Sequence, residues 1–316
     1  RIESRGLGDV YKRQVKKGSL MDWLAEFPSL GKRDLRDLKK GIDGSFREWS
    51  RSNGDAIEAF FDPLYFFLVW LEKLLIATPW PIILIIVAGL AYLGSRSWKL
   101  ALGSVVSFML IGYFGMWKDM MATISLISVS TLICIAVGIP IGILMSRYDR
   151  VQSAITPILD LMQTIPIFVY LLPVVMLLGI GRVPGLIAVC VYAIPPIIRL
   201  TNLGIRLVDK EILEAADAFG SSYRQKLFSV QIPLALPNIF AGVNQTIMMA
   251  LAMVVIASMI GVKGLGMPVL QAVQNQYLTL GLMNGLAIVA LAIIFDRVSQ
   301  RYGQRLQAHR YGKEHE

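Results

Sequence analysis

Long stretches without a charged residue constrain this chain more than any other feature. The two longest cover residues 227–262 and 264–295, and five others precede them at 74–95, 100–117, 120–146, 161–181 and 183–198. A helix needs about 20 apolar residues to cross the hydrocarbon core of a bilayer, and one charge at its centre costs about 2.5–3.5 kcal/mol. Since a helix also satisfies its own backbone hydrogen bonds in lipid, the runs predict an all-α, polytopic membrane helical bundle.

Composition supports the same class. Hydrophobic residues make up 55% of the chain and charged residues only 17%, against roughly 25% charged in a soluble domain. The net charge of +9 would suggest nucleic acid in a soluble protein. In a membrane protein an excess of Lys and Arg is expected in cytoplasmic loops, so we expect no nucleic-acid partner.

Glycine and proline divide the longest runs into separate spans. Pro233 and Pro237 are expected to break the run 227–262, so that its span begins near Asn238. Gly264, Gly266 and Pro268 are expected to break the next run. The result is a prediction of about seven spans, at 79–95, 99–117, 120–146, 156–180, 183–200, 239–262 and 280–296.

The regions outside the spans differ in character. Residues 1–14 are polar, unpatterned and without an initiating Met, and we expect a non-native or unstructured leader. Residues 15–62 balance acidic and basic side chains and predict a polar helical extension. Residues 63–78 are short for a span and contain Glu72 and Lys73, which favours an amphipathic interfacial helix. A tail at 301–316 follows the transmembrane domain expected over 79–300.

Positive charge predicts the orientation of the bundle. Basic residues collect in alternate loops, around 96–99, 147–150 and 199–226, and in the C-terminal tail. The intervening loops are nearly free of charge. The positive-inside rule places the basic loops and the C-terminus in the cytoplasm, and seven spans then place the N-terminus outside.

The largest basic loop carries a distinct pattern. Its acidic and apolar residues over 211–217 predict an amphipathic helix that stops at Gly220. A second short helix is predicted over 222–230, ending before Pro233. Two short helices in one loop form a compact knob, which suits docking to a soluble partner.

This loop resembles the EAA loop of bacterial ABC importer permeases. The resemblance rests on Glu214-Ala215-Ala216, on Gly220 four residues later, and on the proline-rich exit 232–237. In that family the loop docks in a groove of the ATPase subunit. It implies that the EAA loop, residues 200–237 here, couples this chain to an ATPase through Glu214, Ala215, Ala216, Gly220, Pro233 and Pro237.

Other segments narrow the resemblance. Residues 159–185, 194–206 and 242–261 are similar to glycine betaine/proline betaine permeases of the quaternary-amine uptake family. The resemblance implies two permease copies working with two ATPase copies and a substrate-binding protein in the bacterial cytoplasmic (inner) membrane. The same complex type could instead import trimethylamine N-oxide, choline or carnitine. A secondary transporter or channel is a more distant alternative.

Chemistry by the chain itself is not expected. The sequence contains no G-x-x-x-x-G-K-[ST] phosphate loop and no zinc, redox or serine-nucleophile motif. We therefore expect no catalytic residue, no metal and no cofactor bound by this chain, with ATP and magnesium used by the partner subunit. Cys134 and Cys190 lie inside apolar runs and predict free thiols.

Polar residues inside the spans are candidates for the pathway or its gate. Such residues usually face the bundle interior. Hydrogen bonding between helices is the favoured explanation for any single one, and a pathway role is favoured for the clusters. Asp160 and Arg199 are a plausible ion pair. The spans show no aromatic cage for a quaternary ammonium, so the high-affinity site is expected in the binding protein. The candidates are Gln163, Thr164, Pro166, Asn244, Gln245 and Thr246.

Overall fold

Every regular element of the described chain is a helix. A computed structural model describes residues 29–311, with side chains up to residue 303. The predicted leader 1–14, residues 15–28 of the extension and residues 312–316 of the tail lie outside the described residues. The all-α class is confirmed for the rest. The helices are α1 Lys32–Ala77, α2 Trp80–Ser95, α3 Trp98–Tyr113, α4 Trp117–Arg147, α5 Asp149–Thr164, α6 Ile167–Leu178, α7 Arg182–Arg206, α8 Lys210–Ala218, α9 Tyr223–Gln225, α10 Ile232–Ser258, α11 Gly266–Asn275 and α12 Leu278–Tyr311.

Four described helices are long and apolar enough to cross a bilayer. Two further helix pairs, α1 with α2 and α5 with α6, are long and apolar enough when each pair is taken together. The two helices of each pair are bent relative to each other, by 109° and 94° respectively. Counting each bent pair as one span gives six, and the shorter apolar helix Trp98–Tyr113 lies where the remaining one of the seven predicted spans is expected. The four are Trp117–Arg147, Arg182–Arg206, Tyr223–Ser258 and Leu278–Gly303.

Two of the predicted spans are short helices, and one proline divides a third. Helices α2 and α3 have 16 residues each, about 24 Å at 1.5 Å per residue, which is less than a hydrocarbon core of about 30 Å. The span predicted over 156–180 divides at Ile165 and Pro166. Pro166 has no N–H to donate and pushes the residue before it into an extended conformation. Ile165 has φ −65° and ψ 129°.

Helix α1 unites two segments that the sequence separates. Residues 32–62 of the predicted extension and most of the helix predicted over 63–78 belong to one helix, with Pro63 inside it. A boundary between two compact units falls after Asn53, within α1. All contacts described below lie in the unit that begins at Gly54.

Helix α7 is central to the core and packs most extensively against α10 and α4. Leu186 and Ile197 on α7 are fully buried. Glycines allow the close approach of these helices. A Cβ on Gly142 of α4 would lie 2.6 Å from Cβ of Thr201 and 2.8 Å from the carbonyl oxygen of Ile198. Small residues at such crossings let membrane helices associate by close packing.

The prediction that prolines separate the second loop helix from the next span is wrong. Helix α9, a π-helical turn at Lys226–Gln231 and α10 continue into one another without a break. Pro233 lies in the first turn of α10, where its missing N–H costs little. The π-helical turn before Pro233 is a local departure from the regular α-helical hydrogen-bonding pattern, of the kind that accompanies irregular points in a helix. Helix α7 likewise runs on to Arg206, beyond the predicted end of its span at 200.

The break predicted between the last two spans includes Gly264, whereas Gly266 and Pro268 lie in α11, an additional helix before α12. Gly264 has φ +140°, and the N–H of Leu265 donates to Oγ1 of Thr123 at 2.9 Å. Helix α12 then begins at Leu278, close to the predicted start near Leu280. The thiols of Cys134 and Cys190 are free, as predicted.

Candidate functional site

The first helix of the EAA loop begins with a side-chain cap. Asp209 precedes α8, and its Oδ1 accepts the N–H of Glu211 at 3.0 Å. Aspartate suits this position because the first N–H groups of a helix lack backbone partners. Glu214, Ala215 and Ala216 then occupy the middle of α8, within the amphipathic helix that the sequence predicts over 211–217.

Gly220 ends this helix as the sequence predicts. Its φ is +71°, a left-handed conformation that glycine adopts at little cost. The N–H of Gly220 donates to the carbonyl of Asp217 at 2.9 Å, and the N–H of Ser221 donates to the carbonyl of Ala216 at 3.1 Å. These two bonds form a Schellman motif, which satisfies the last carbonyls of α8 and turns the chain back.

The second arm of the loop is held against the first. Ser222 and Gln225 form a reciprocal capping box at the start of α9. Nζ of Lys226 donates to both carboxylate oxygens of Asp217, at 2.6 and 2.7 Å. The two arms therefore form the compact knob that the loop pattern predicts.

Two arginines make the contacts between the end of α4 and its neighbours, one to the knob and one from the end of α7. The guanidinium carbon of Arg147 lies 4.0 Å from the ring centroid of Tyr223, a cation–π contact. Nη2 of Arg206 donates to Oδ1 of Asp149 at 2.6 Å and to the carbonyl of Met145 at 2.9 Å. These contacts join the knob and the end of α7 to the end of α4 and the start of α5.

The outer face of the knob is exposed and partly apolar. Glu214 and Ala215 are exposed and Ala216 is half-buried. The Phe219 side chain, next to Gly220, is 90% exposed, and that of Phe228 is 64% exposed. Glu214 forms no ion pair with another described residue. Of the proline exit, Pro233 and Pro237 are half-buried within α10.

Three of the pathway candidates lie together at the bend between α5 and α6. Gln163, Thr164 and Pro166 are all exposed on the single chain. The Thr164 hydroxyl donates to the carbonyl of Asp160 at 2.9 Å, within its own helix. Their exposure leaves these residues open to water, lipid or a neighbouring subunit. Their role in a pathway remains a prediction.

The other three candidates point in different directions from α10. Nδ2 of Asn244 donates to Oδ1 of Asp296 at 2.8 Å, which is the interhelical bond that the alternative interpretation expects. Gln245 is exposed, and Thr246 is fully buried with no hydrogen-bond partner for its hydroxyl in the described structure. Three consecutive helical residues do not share one face, so they do not line a single surface.

Sequence reasoning missed several of these contact residues. Arg147 and Arg206 entered only as positive charges that orient the bundle, and Tyr223 was not singled out. Asp296 accepts bonds from Asn244 and, at 2.6 Å, from Gln300. The signal for Asp296 is its position as the first charge after the run 264–295.

The chain is similar to a known protein family and to solved structures. Residues 138–308 match the family described as the binding-protein-dependent transport system inner membrane component. The chain belongs to this family. The matched region contains the whole EAA loop and the helices that it joins. The permease also resembles two solved crystal forms of the inward-facing MetNI methionine ABC transporter, with a TM-score of 0.54 for each. One of these is 20% identical and covers 58% of this permease and 93% of that chain, which supports the fold.

Relatives in three bacteria show a graded similarity. The glycine betaine/proline betaine transport system permease protein ProW of Escherichia coli (strain K12) is 47% identical, over 77% of this permease and 68% of that protein. The glycine betaine/carnitine transport permease protein GbuB of Listeria monocytogenes is 46% identical, over 73% and 82%. The trimethylamine N-oxide transport system permease protein TmoV of Ruegeria pomeroyi is 36% identical, over 73% and 35%.

Proposed function

We propose that this permease is the pathway subunit of an ATP-driven importer for glycine betaine, proline betaine or a related quaternary amine. The observation that carries the proposal is the EAA loop, a knob closed at Gly220, fastened to α4 through Tyr223, and exposed on its outer face. Glycine betaine occurs in the names of both relatives at 46–47% identity. The relative named for trimethylamine N-oxide is less similar at 36%, so that substrate is the second candidate.

The proposed partners are inferred from side chains that are exposed on the single chain. Phe219 and Phe228 offer an apolar contact for an ATPase subunit, which would supply the hydrolysis. Gln163, Thr164 and Pro166 lie on the surface of the single chain, where a second permease copy would enclose them. The proposed complex contains two permease copies, two ATPase copies and a substrate-binding protein.

The proposed orientation places the EAA loop and the C-terminus in the cytoplasm and the N-terminus outside. Positive charge in the EAA loop and tail supports it. The 109° bend between α1 and α2 favours an interfacial position for residues 63–78, because a helix lying at the surface meets a spanning helix at a wide angle.

Uptake by reconstituted vesicles tests the function. The permease would be co-purified with its ATPase, reconstituted, and supplied with binding protein and labelled glycine betaine, trimethylamine N-oxide or choline. We expect glycine betaine to enter only when ATP and binding protein are both present. Uptake that needs an ion gradient instead of ATP would identify a secondary transporter and would contradict the proposal.

Single-cysteine labelling tests the orientation. In a background with Cys134 and Cys190 replaced by serine, a membrane-impermeant maleimide should label Lys263→Cys in intact cells. Ser221→Cys should react only after the cells are opened. Labelling of position 221 from outside would reverse the proposed orientation.

A further inference from the structure

A polar cleft lies at the end of the bundle opposite the EAA loop. Its volume is about 440 Å³, and one wall is the segment 178–184, which leads into α7. Helix α7 has 25 residues, so its first residue, Arg182, lies about 37 Å from the end that joins the EAA loop. Gly261, with φ +85°, also borders the cleft.

The opposite wall is one face of α1. Glu58, Phe61, Asp62 and Tyr65 line the cleft. Glu58 lies three residues before Phe61 and four before Asp62, and Tyr65 lies four after Phe61 and three after Asp62, which places the four on neighbouring positions of one face. The carboxylates of Glu58 and Asp62 form no hydrogen bond or ion pair with any side chain in the described ranges. Two aromatic rings and two unpaired carboxylates therefore face one space.

An ion pair joins the two walls. Nη2 of Arg182 donates to Oε1 of Glu72 at 2.9 Å, and the two side chains are 22% and 13% exposed. The pair fixes α1 against the start of α7. Arg182 has five N–H donors, and only one bonds to a described residue, so donors remain for an anionic group in the cleft.

This combination suits a molecule with a quaternary ammonium at one end and a carboxylate at the other. A quaternary ammonium has no N–H to donate, so it is held by the faces of aromatic rings and by nearby negative charge rather than by hydrogen bonds. Phe61, Tyr65, Asp62 and Glu58 supply both. A carboxylate pairs well with the free donors of a guanidinium, which Arg182 supplies.

We propose that this cleft is a low-affinity binding site for a zwitterionic quaternary amine, with the ammonium group at the α1 face and the carboxylate at Arg182. The inference rests on the proposed function and adds to it a location on the permease, at the end away from the ATPase. A solute released by the binding protein would be held there before the pathway opens.

Binding to the full-length chain in nanodiscs tests the ammonium end. The nanodiscs contain phosphatidylglycerol only, a lipid without an ammonium group, and the probes are glycine betaine and tetramethylammonium. Saturation-transfer NMR reads their methyl protons. Tyr65→Leu should weaken both probes about fivefold, the scale of one cation–π contact. Asp62→Asn should weaken both by a similar factor, because it removes a negative charge beside the ammonium group. Phe67→Leu and Asp55→Asn, on the same helix but outside the cleft, should bind as the unaltered chain does.

A paired substitution tests the carboxylate end. Arg182→Gln combined with Glu72→Gln removes the guanidinium without leaving Glu72 unpaired. Glycine betaine should then bind about fivefold more weakly, the low end of the effect of a charge-assisted hydrogen bond. Tetramethylammonium, which has no carboxylate, should bind as before and so reports that the chain is folded. Equal binding of glycine betaine to all variants and controls would overturn the proposal.

Two further arms separate the alternatives. Adding phosphatidylcholine, whose headgroup also carries a quaternary ammonium, should leave the glycine betaine signal unchanged, whereas its loss would assign the cleft to a lipid headgroup. The same variants are then assayed for uptake in the complete complex. If the unaltered complex imports glycine betaine and the cleft variants match their controls, only this site is refuted. If the unaltered complex imports none, the proposed function fails.

Discussion

Arg199 of α7 donates a hydrogen bond from Nη2 to Oδ1 of Asp160 of α5 at 2.6 Å, across 39 residues of sequence. The pair confirms a contact that the sequence made plausible. It joins α5 to the central helix immediately before the bend at Pro166. Its side chains are 40% and 56% exposed, so water screens it, and its contribution to stability is about 0.2–1 kcal/mol. We expect its main effect to be on the position of the bend.

Reversing this charge pair should affect transport more than folding. Asp160→Lys places two positive charges together. The repulsion should push α5, the helix before the bend, away from α7 and lower uptake several-fold. The double variant Asp160→Arg with Arg199→Asp restores opposite charges and should recover most of the uptake. Uptake in vesicles and the midpoint of thermal unfolding measure the two effects. Failure of the double variant to recover any transport would contradict a positioning role.

Replacing Gly220 should uncouple the EAA loop without unfolding the bundle. A Cβ at Gly220 would have no atom within 4 Å, so the penalty comes from the left-handed backbone, about 1–2 kcal/mol. The Gly220→Val chain should therefore insert into the membrane normally. The complex that contains it should lose uptake and solute-stimulated ATP hydrolysis. Gly220→Asn, which tolerates this conformation better, is the matched control. Unchanged coupling in Gly220→Val would show that the turn does not aim the loop.

The contact between Arg147 and Tyr223 should carry motion from the knob to α4. Tyr223→Phe keeps the ring and should couple normally, whereas Tyr223→Leu loses a cation–π attraction of about 0.5–1 kcal/mol. We expect a two- to fivefold fall in uptake per ATP hydrolysed for the leucine variant, which is the range that this energy represents. Arg147 also lies 4.9 Å from the ring centroid of Tyr148, next to it in sequence. Tyr148→Leu, which leaves the contact to the knob intact, is the control and should couple like the unaltered chain.

The packing of α4 on α7 should depend on Gly142. Gly142→Ala would drive a methyl group into the backbone carbonyl of Ile198, and overpacking of this kind costs about 1–3 kcal/mol. The midpoint of thermal unfolding in detergent should fall. Gly103→Ala in α3, where a Cβ meets nothing within 4 Å, should leave the midpoint unchanged or slightly raised. Equal midpoints for the two variants would refute the close approach.

Local features of the chain were predictable because their causes lie within a few residues. The apolar runs locate α4, α7, α10 and α12, since burial in lipid depends on composition along one helix. The helix ends at Gly220 through bonds from Gly220 and Ser221 to carbonyls three and five residues before each donor, respectively. The start of α10 was not predictable in this way. Pro233 lies in the first turn of α10, directly after a π-helical turn, and there it does not break the helix.

Pairings across the bundle were decided by the tertiary structure. Arg182 pairs with Glu72, which lies 110 residues away in the sequence, and Asn244 bonds to Asp296, which lies 52 residues away. Each polar group has many chemically equivalent partners in the sequence, and only the packing of the helices selects one. The sequence by itself determined that this chain is a membrane bundle with an EAA loop. Which charges neutralise each other, which faces remain open, and where a polar cleft forms depended on how the helices come together.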